Sequence, residues 1–349
     1  MRKTISMLLT CVLLNSQASI AATLEIYFID VEGGQATLVV TPARETLLID
    51  AGWGEGSPEA RAGVADSARD AKRILAAARD AGVTRIDYQF ITHFHRDHMG
   101  GVPELAQLLP IGSFIDHGGP IAREKASGSV DTPDAIAFDA YAKARSRGRH
   151  ITPKPGDSLP LKGIQSVLVS SDRSTVQALK GAGAPNSACG VSPIKAGDGD
   201  ENPRSNGVLL QFGKFRFLDI GDLSGQPLFD LVCPTDRIGP VDVYLVAHHG
   251  GRDAADPATF AAFKPRVSII NNGPRKGGTS EVIAAARTVG FTDVWQLHTL
   301  EAATENVPQE RIANLDEESS HWIRISASED GSFKLLNGRT GVWKAYGAR

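Results

Sequence analysis

Short apolar runs separated by polar, glycine-rich turns extend along most of the chain, a pattern that is typical of β-strands. Eleven such runs predict strands, and these lie at 24–31, 37–41, 46–49, 86–91, 111–116, 165–170, 207–212, 215–220, 241–247, 266–270 and 294–298. Segments with one apolar and one charged face, or with helix-start signals, predict helices at 65–81, 104–109, 131–144 and 279–289. The last apolar residues, around 322–325 and 341–343, predict a terminal β-hairpin. The pattern therefore predicts a chain that mixes helices and strands.

The N-terminus departs from this pattern. Arg2 and Lys3 precede an apolar run at 5–14, and small residues follow at 15–22. This order of charge, apolar run and small residues is typical of a secretory signal peptide, and the run is too short to span a membrane. We therefore expect residues 1–22 to be removed from a periplasmic or secreted protein, with a buried N-terminal helix as the alternative.

The remaining composition of the 349 residues is that of an ordinary globular protein. Without the signal peptide, 35 basic residues face 40 acidic ones, a formal charge of −5. A chain this acidic lacks the global positive charge of a nucleic-acid binder, although a local basic patch is left open. Cys189 and Cys233 would remain, either as a disulfide or as two separate buried thiols.

The strongest chemical signal lies at 92–101, which we call the metal loop. It places His93, His95, Asp97 and His98 between a predicted buried strand and a predicted helix, where a loop presents side chains to a cleft. Neutral imidazole and carboxylate are ligands that suit zinc, and also iron and manganese. The metal loop therefore predicts a metal site, and a polar turn that happens to be rich in histidine is the alternative.

The spacing His-x-His-x-Asp-His followed by Gly-Gly resembles the metal-binding motif of the metallo-β-lactamase fold superfamily. The resemblance implies a four-layer αββα sandwich with two metal sites. His93 and His95 would serve the first site, and Asp97 and His98 the second. It further implies one domain over 23–349, with an excursion at about 120–160 and the C-terminal hairpin as an extension.

Three later motifs narrow the resemblance. The first strands end in Asp50-Ala-Gly, the hairpin at 207–220 leads to Gly-Asp222-Leu, and the strand at 241–247 leads to His248-His249-Gly. Together they are similar to the hydrolase-like domain of ComEC-type DNA-uptake proteins. The similarity implies that Asp222 bridges both metals and that Asp50 is buried beneath the metal loop and orients it. Because neighbouring side chains on a strand point to opposite faces, we expect only one of the two adjacent histidines to bind metal directly. We favour His248 as the ligand and His249 as a hydrogen-bonding partner, with the two roles open to exchange.

One expected ligand is missing. The superfamily usually supplies a further histidine to the first metal from the region before Asp222, but residues 151–247 contain none. The substitutes that the sequence offers are Asn206, Asp198, Asp200 and the distant His117. The protein would accordingly hold one or two ions.

Two basic segments are candidates for contact with an anionic substrate. Arg275 and Lys276 lie in a glycine loop before a predicted helix N-terminus, a combination that can receive an anion. A basic cluster at 143–150 could attract an anion to the rim of a site. In both cases a solvated surface segment is the alternative.

The resemblance implies an exported, metal-dependent hydrolase in which a metal-bound hydroxide attacks a phosphodiester or related ester. The expected metal is Zn, as one or two ions, with Mn or Fe as alternatives, and the catalytic candidates are Asp97, His249 and Lys276. The alternatives are a lactonase or β-lactamase-type hydrolase, or a weakly catalytic accessory module that captures nucleic acid. The expected partner is a small-molecule or phosphoester substrate, since the net charge does not support nucleic acid and no membrane span would remain.

Overall fold

The computed structural model describes residues 22–54, 68–120, 132–190, 201–288, 290 and 292–349. Several predicted features lie outside these residues: nearly all of the signal peptide, the start of the helix at 65–81, the first part of the excursion, Asp131, Asp198, Asp200 and the helix end at Val289.

The described residues form seventeen strands and seven α-helices, most of them close to the predicted bounds. The strands are β1 (Leu24–Phe28), β2 (Thr37–Val40), β3 (Thr46–Ile49), β4 (Ile86–Phe90), β5 (Ile111–Ile115), β6 (Arg149–Ile151), β7 (Gln165–Ser171), β8 (Ser174–Thr175), β9 (Gly207–Phe212), β10 (Phe215–Asp219), β11 (Val243–Leu245), β12 (Val267–Ile270), β13 (Asp293–His298), β14 (Ile312–Asn314), β15 (Ile323–Ala327), β16 (Phe333–Asn337) and β17 (Val342–Tyr346). The helices are α1 (Arg69–Asp80), α2 (Arg96–Met99), α3 (Val102–Leu108), α4 (Pro133–Arg145), α5 (Gly225–Val232), α6 (Pro257–Phe263) and α7 (Ser280–Thr288).

These strands build two sheets. The first has the order β17-β16-β15-β1-β2-β3-β4-β5-β6, and the second has the order β14-β13-β12-β11-β10-β9-β7-β8. In the first sheet β3 to β6 are parallel, and in the second β10 to β14 are parallel. In each run of parallel strands the carboxyl ends meet at one edge, which is where open α/β sheets place their ligand sites.

Three apolar cores hold the layers together. The central core lies between the sheets, where the rings of Phe28 and Phe217 meet edge to face with centroids 5.6 Å apart. A second core joins the first sheet to α1, α3 and α4, and a third joins the second sheet to α5, α6 and α7. Burial of apolar surface at all three interfaces drives the stacking of the layers. The structure thus confirms the predicted αββα sandwich.

The C-terminal segment differs from the predicted hairpin. It forms three strands, and β15 pairs antiparallel with β1, so these residues continue the first sheet. The central core contains three residues at alternate positions of β15, Ile323, Ile325 and Ala327. Both faces of β1 and its neighbours are covered by other layers, so pairing with β1 buries these apolar side chains.

The described part of the excursion is also packed into the sandwich. Thr132 caps α4 by accepting a hydrogen bond from the Ala135 amide (3.2 Å). Arg145, from the basic cluster at 143–150, lies 2.7 Å from the buried carboxylate of Asp116. At this residue the cluster supports the fold and is more than a solvated helix end.

Cys189 and Cys233 form a disulfide, with 5.9 Å between their Cα atoms. The bond joins the loop after β8 to the end of α5, and so decides between the two alternatives that the sequence left open. Among the described residues, no helix is long and apolar enough to span a membrane.

Candidate metal centre

The metal loop is supported from below by one buried carboxylate, Asp50, at the end of β3. Its Oδ1 accepts the Thr92 amide (2.8 Å), while Oδ2 accepts the Thr92 hydroxyl (2.7 Å) and lies 2.7 Å from His98 Nδ1. These contacts fix the start of the loop and the orientation of the His98 ring, as carboxylates beneath metal-binding histidines do. The predicted supporting role of Asp50 agrees with this geometry.

Four buried side chains converge above that support, and we call them the four-residue cluster: Asp97, His98, Asp222 and His249. Each offers one ligand atom, and these four atoms lie within 4.8 Å of one another. His98 Nε2 is 3.2 Å from Asp222 Oδ2, and His249 Nε2 is 3.1 Å from Asp97 Oδ2 and 3.3 Å from Asp222 Oδ2. Asp97 and His98 come from α2 in the first sheet's half, whereas Asp222 and His249 follow β10 and β11 of the second sheet.

A second pair of imidazoles lies beside this cluster. His93 Nε2 and His95 Nδ1 are 3.0 Å apart, and His93 Nε2 is 3.9 Å from Asp222 Oδ2. The structure therefore places Asp222 between the two groups of ligands that the resemblance assigns to two metals.

The two adjacent histidines, His248 and His249, do not lie on a strand. Strand β11 ends at Leu245, and both histidines adopt left-handed backbone conformations, with φ of 49° and 54°, in the turn 247–250. The rule that neighbouring strand residues point to opposite faces does not apply here, and His248 Nε2 approaches Asp222 Oδ2 to 3.6 Å while His249 Nε2 approaches it to 3.3 Å. His249 belongs to the buried cluster and His248 is 29% exposed, so the geometry gives His249 the more central position that the sequence favoured for His248.

Lys276 reaches the same centre from the loop after β12. Its Nζ pairs with Asp97 Oδ2 and lies 4.9 Å from the centroid of the Trp53 ring. The loop can approach closely because Gly277 has no side chain: a Cβ there would lie 2.2 Å from the His249 carbonyl oxygen. Of the two alternatives for this segment, the structure favours a contact with the site over a solvated connection.

Neighbouring positive groups hold the two carboxylates of the centre in their ionised form. Burial opposes the ionisation of Asp97, but the Lys276 ammonium and then His98 hold the pKa of this carboxyl well below its usual range. Burial also opposes the ionisation of Asp222, but His249, His98 and His248 hold its pKa well below the usual range. Burial, followed by the neighbouring His98 and His95, lowers the pKa of His93, which keeps that imidazole neutral. Ionised carboxylates and a neutral imidazole are the forms that bind metal.

The donors present also fit a metal ion by type and arrangement. Asp222 Oδ1, in the four-residue cluster, is buried and has no hydrogen-bond partner within the described part of the chain. Buried polar atoms of this kind call for an explanation such as a bound ion. A set of histidine nitrogens and carboxylate oxygens suits zinc or iron, so the chemistry of the donors and their convergence agree with a metal centre.

The structure places the described substitutes for the missing histidine at two separate positions. Asn206 turns toward the first sheet and donates to the Ile91 carbonyl (3.1 Å). His117 is buried against the Phe94 ring, with centroids 4.4 Å apart, and lies 3.4 Å from Glu201. Asn206 thus contacts the backbone of the first sheet and His117 contacts Phe94 and Glu201, while the two aspartates of the loop lie outside the described residues.

Two residues that the sequence reasoning did not select stand next to His248. Asn202 Nδ2 is 3.3 Å from His248 Nε2, and Asp253 Oδ2 is 2.6 Å from His248 Nδ1. An Asn-Pro pair at the end of a long loop is a turn signal that draws attention to Asn202. Asp253 follows the His-His-Gly motif by only a few residues, but its contact depends on a turn that the sequence pattern does not reveal.

Part of the chain matches a known protein family. Residues 29–158 match the family described as the metallo-beta-lactamase superfamily. The matched segment contains the metal loop and covers less than half of the chain.

One curated relative and two solved structures illustrate the range of similar proteins. Over 77 residues the chain is 36% identical to an atrochrysone carboxyl ACP thioesterase from Aspergillus terreus, a match that covers 22% of this chain and 20% of that protein. The metallo-beta-lactamase fold protein YhfI from Bacillus subtilis is 11% identical, and the match covers 79% of this chain and 96% of that one, with a TM-score of 0.46. CmlA, a diiron β-hydroxylase from Streptomyces venezuelae, is 14% identical, and the match covers 71% of this chain and 44% of that one, with a TM-score of 0.36. The chain thus spans about a fifth of the length of the curated relative that it matches.

Proposed function

We propose that this protein is a metal-dependent hydrolase that cleaves a phosphodiester or a related ester. The observation that carries the proposal is the four-residue cluster, in which buried imidazoles and ionised carboxylates from both sheets converge, with Lys276 beside them. Asp97, His98, Asp222 and His249 would hold the second metal, and His93 and His95 would contribute to the first. When bound, such metals supply Lewis acidity and lower the pKa of water, the two effects that hydrolysis of a stable ester needs.

Lys276 would bind the anionic part of the substrate. Its ammonium lies at the cluster, against the face of the Trp53 ring, an arrangement that holds a positive charge at a partly buried position. A phosphodiester carries a negative charge on its non-bridging oxygens throughout the reaction, whereas a neutral ester develops charge only as the bond is attacked. The lysine therefore favours a phosphodiester among the ester substrates.

A thioester is the second candidate. The similarity to the Aspergillus terreus thioesterase favours it, although that match covers only a short segment. A lactone or β-lactam remains a substrate to be tested, as does the alternative of a module that binds nucleic acid and turns over slowly. The proposed placement in the ComEC-like branch rests on the motifs around Asp50, Asp222 and the two adjacent histidines.

A substrate panel tests the proposal. The metal-free protein would be reconstituted in turn with Zn²⁺, Mn²⁺ and Fe²⁺ and assayed with bis(p-nitrophenyl) phosphate, an aryl thioester, an aryl lactone and nitrocefin. We expect metal-dependent turnover that is highest with the phosphodiester. Preferred turnover of a carboxyl substrate would replace the phosphodiester assignment, and metal binding without turnover of any substrate would favour the binding module.

Lys276→Met tests the anion contact, with Lys264→Met as a matched control because Lys264 lies on the surface at the end of α6. We expect Lys276→Met to raise KM for the phosphodiester about 10-fold or more, as loss of a charge-assisted hydrogen bond would, while the control leaves KM unchanged. An unchanged KM in Lys276→Met would remove this lysine from substrate binding.

We further propose that the protein is exported. The disulfide between Cys189 and Cys233 supports this, since such bonds persist in oxidising compartments and are rare in the cytosol. Mass spectrometry of the protein from cell fractions should find a periplasmic or secreted chain that begins near Thr23. An intact Met1 in the periplasm, or all of the protein in the cytoplasm, would contradict the proposal.

A further inference from the structure

We propose that His248, oriented by Asp253 and accompanied by Asn202, completes the first metal site in place of the missing histidine. The two adjacent histidines would then serve different metals, His249 the second and His248 the first. This inference rests on the proposed metal-dependent function and specifies how the chain would hold the ion of its first site.

The contact between Asp253 and His248 fixes which nitrogen of the imidazole ring faces the centre. Asp253 Oδ2 accepts a hydrogen bond from His248 Nδ1 at 2.6 Å, and this places the ring's remaining lone pair on Nε2. Nε2 is the atom that faces the centre, 3.6 Å from Asp222 Oδ2. One ring nitrogen of His248 therefore contacts a supporting carboxylate while the other faces the shared ligand Asp222, as is usual for a metal-binding histidine.

The backbone of the turn brings both rings to the same carboxylate. Non-glycine residues with positive φ are uncommon, and two in succession at His248 and His249 cost conformational energy that the surrounding structure must offset. The His248 amide donates to the Gly221 carbonyl at 3.1 Å, which ties the turn to the residue immediately before Asp222. An extended backbone would have sent one ring away from Asp222, so the strained turn is what allows both to reach it.

Asn202 approaches the ring nitrogen of His248 that Asp253 does not contact. Its amide group lies 3.3 Å from His248 Nε2, on a short helical turn whose side chains are buried. A half-turn of that amide exchanges nitrogen for oxygen and would present a neutral oxygen donor to an ion held by His93, His95, Asp222 and His248. An amide oxygen is a weaker ligand for zinc than an imidazole. We therefore expect the first site to bind its ion less tightly than the four-residue cluster binds the other.

Metal stoichiometry tests the inference without relying on activity. The full-length mature protein would be stripped with a chelator and titrated with Zn²⁺ by calorimetry, with bound metal counted by elemental analysis, and with Co²⁺ while its visible absorption is followed. We expect the wild-type protein to bind about two ions in a tighter and a weaker event. His248→Ala should lose the weaker event and keep the tighter one, whereas His249→Ala should lose the tighter event.

Two further variants complete the design. Asp253→Asn should reduce the metal affinity of the weaker event only, by about 10- to 100-fold, as loss of an outer hydrogen-bond partner does. His321→Ala is the matched control, since it removes an imidazole far along the chain in the segment before β15 and should leave both events unchanged. Circular dichroism and melting curves of each variant would show that the fold is retained.

Three results would overturn the inference: a wild-type protein that binds a single ion, a wild-type protein that binds no metal, and a His248→Ala variant that binds two ions with wild-type affinities. The second of these would overturn the proposed function as well. If two ions bind as expected but no substrate of the panel turns over, the proposed function fails while this inference stands. If the wild-type protein binds a single ion and still hydrolyses a substrate of the panel, the inference fails while the proposed function stands.

Discussion

The two sheets supply the metal centre in different ways. The first sheet contributes four candidate ligands from a single loop of six residues, His93 to His98, after β4. The second sheet contributes its residues one strand at a time: Asp222 after β10, the two adjacent histidines after β11, and Lys276 after β12. The first half of the site is therefore a local property of the chain, whereas the second half exists only because three parallel strands end side by side.

The two halves are also supported differently. Beneath the metal loop, Asp50 makes three short contacts to Thr92 and His98, so one buried carboxylate orients the loop. On the second sheet, Asp222 ends its own strand, and the adjacent histidines depend on a strained turn. We infer that a substitution in the first half of the site will remove either the support of the metal loop or a single ligand. A substitution of Asp222 will affect both groups of ligands.

Asp222→Asn should have the largest effect on metal binding. The change removes negative charge at the carboxylate that lies within 4 Å of His93, His98, His248 and His249. Loss of a mere outer-sphere partner costs 10- to 100-fold in metal affinity, so we expect the loss here to exceed about 100-fold, with the fold retained. Zinc stoichiometry in metal-buffered solution, measured beside a melting curve, tests this, and full zinc occupancy would contradict it.

His95→Ala should have the next largest effect. The change removes one of the two paired imidazoles, His93 and His95, and so one candidate metal ligand. It leaves the four-residue cluster complete. We expect one ion to be weakened and turnover to fall, since a water molecule replaces an imidazole poorly. Elemental analysis together with the substrate assay checks the expectation, and wild-type metal content with a wild-type rate would remove this residue from the centre.

Asp50→Asn should affect stability more than metal affinity. An amide cannot accept all three of the present hydrogen bonds, and a buried donor left without a partner costs about 1–3 kcal/mol. We expect a lower melting temperature and a metal affinity reduced by no more than about 10- to 100-fold. If this variant loses its zinc while Asp222→Asn keeps it, the bridging and supporting carboxylates have been assigned the wrong way round.

Replacing both disulfide cysteines with serine should destabilise the protein with little effect on the metals. The bond closes a loop with a sequence separation of 44 residues and touches none of the candidate ligands directly. Loops of that length predict a loss of about 2–4 kcal/mol in the free energy of unfolding. Denaturant unfolding of the variant and of the oxidised wild type measures the difference, and a large loss of bound zinc would show that the disulfide also shapes the centre.

The smallest effect concerns pH. Burial raises the pKa of Asp219, beneath the centre, to about 7, from an ordinary value of 3.8. The folded protein therefore keeps this proton at pH values where the unfolded chain has lost it, so the associated stability is complete below about pH 4 and lost as the pH rises through 7. Unfolding of the metal-free protein should show a decline over this range that is shallower in Asp219→Asn, and parallel pH profiles would contradict the assignment.

Much of the fold was predictable because its strands are short, apolar and separated by clear turns. The β1 to β3 meander and the β9–β10 hairpin appear close to the predicted residues, since neighbouring strands pair locally. The C-terminal segment was different: its apolar residues predicted strands, but the pairing of β15 with β1 joins residues about 300 positions apart. Local patterns cannot specify that partner.

The sequence by itself determined the metal loop, because residues close along the chain must be close in space, and the residue types present there suit a metal. It also supplied Asp222 and the two adjacent histidines as candidates through their motifs. Only the tertiary structure decided that both imidazoles reach the same carboxylate, that Lys276 pairs with Asp97, that Cys189 pairs with Cys233, and that Asn202 and Asp253 flank His248. The physical reason is that these contacts depend on left-handed backbone turns and on the alignment of strand ends across two stacked sheets, neither of which leaves a periodic signal in the sequence.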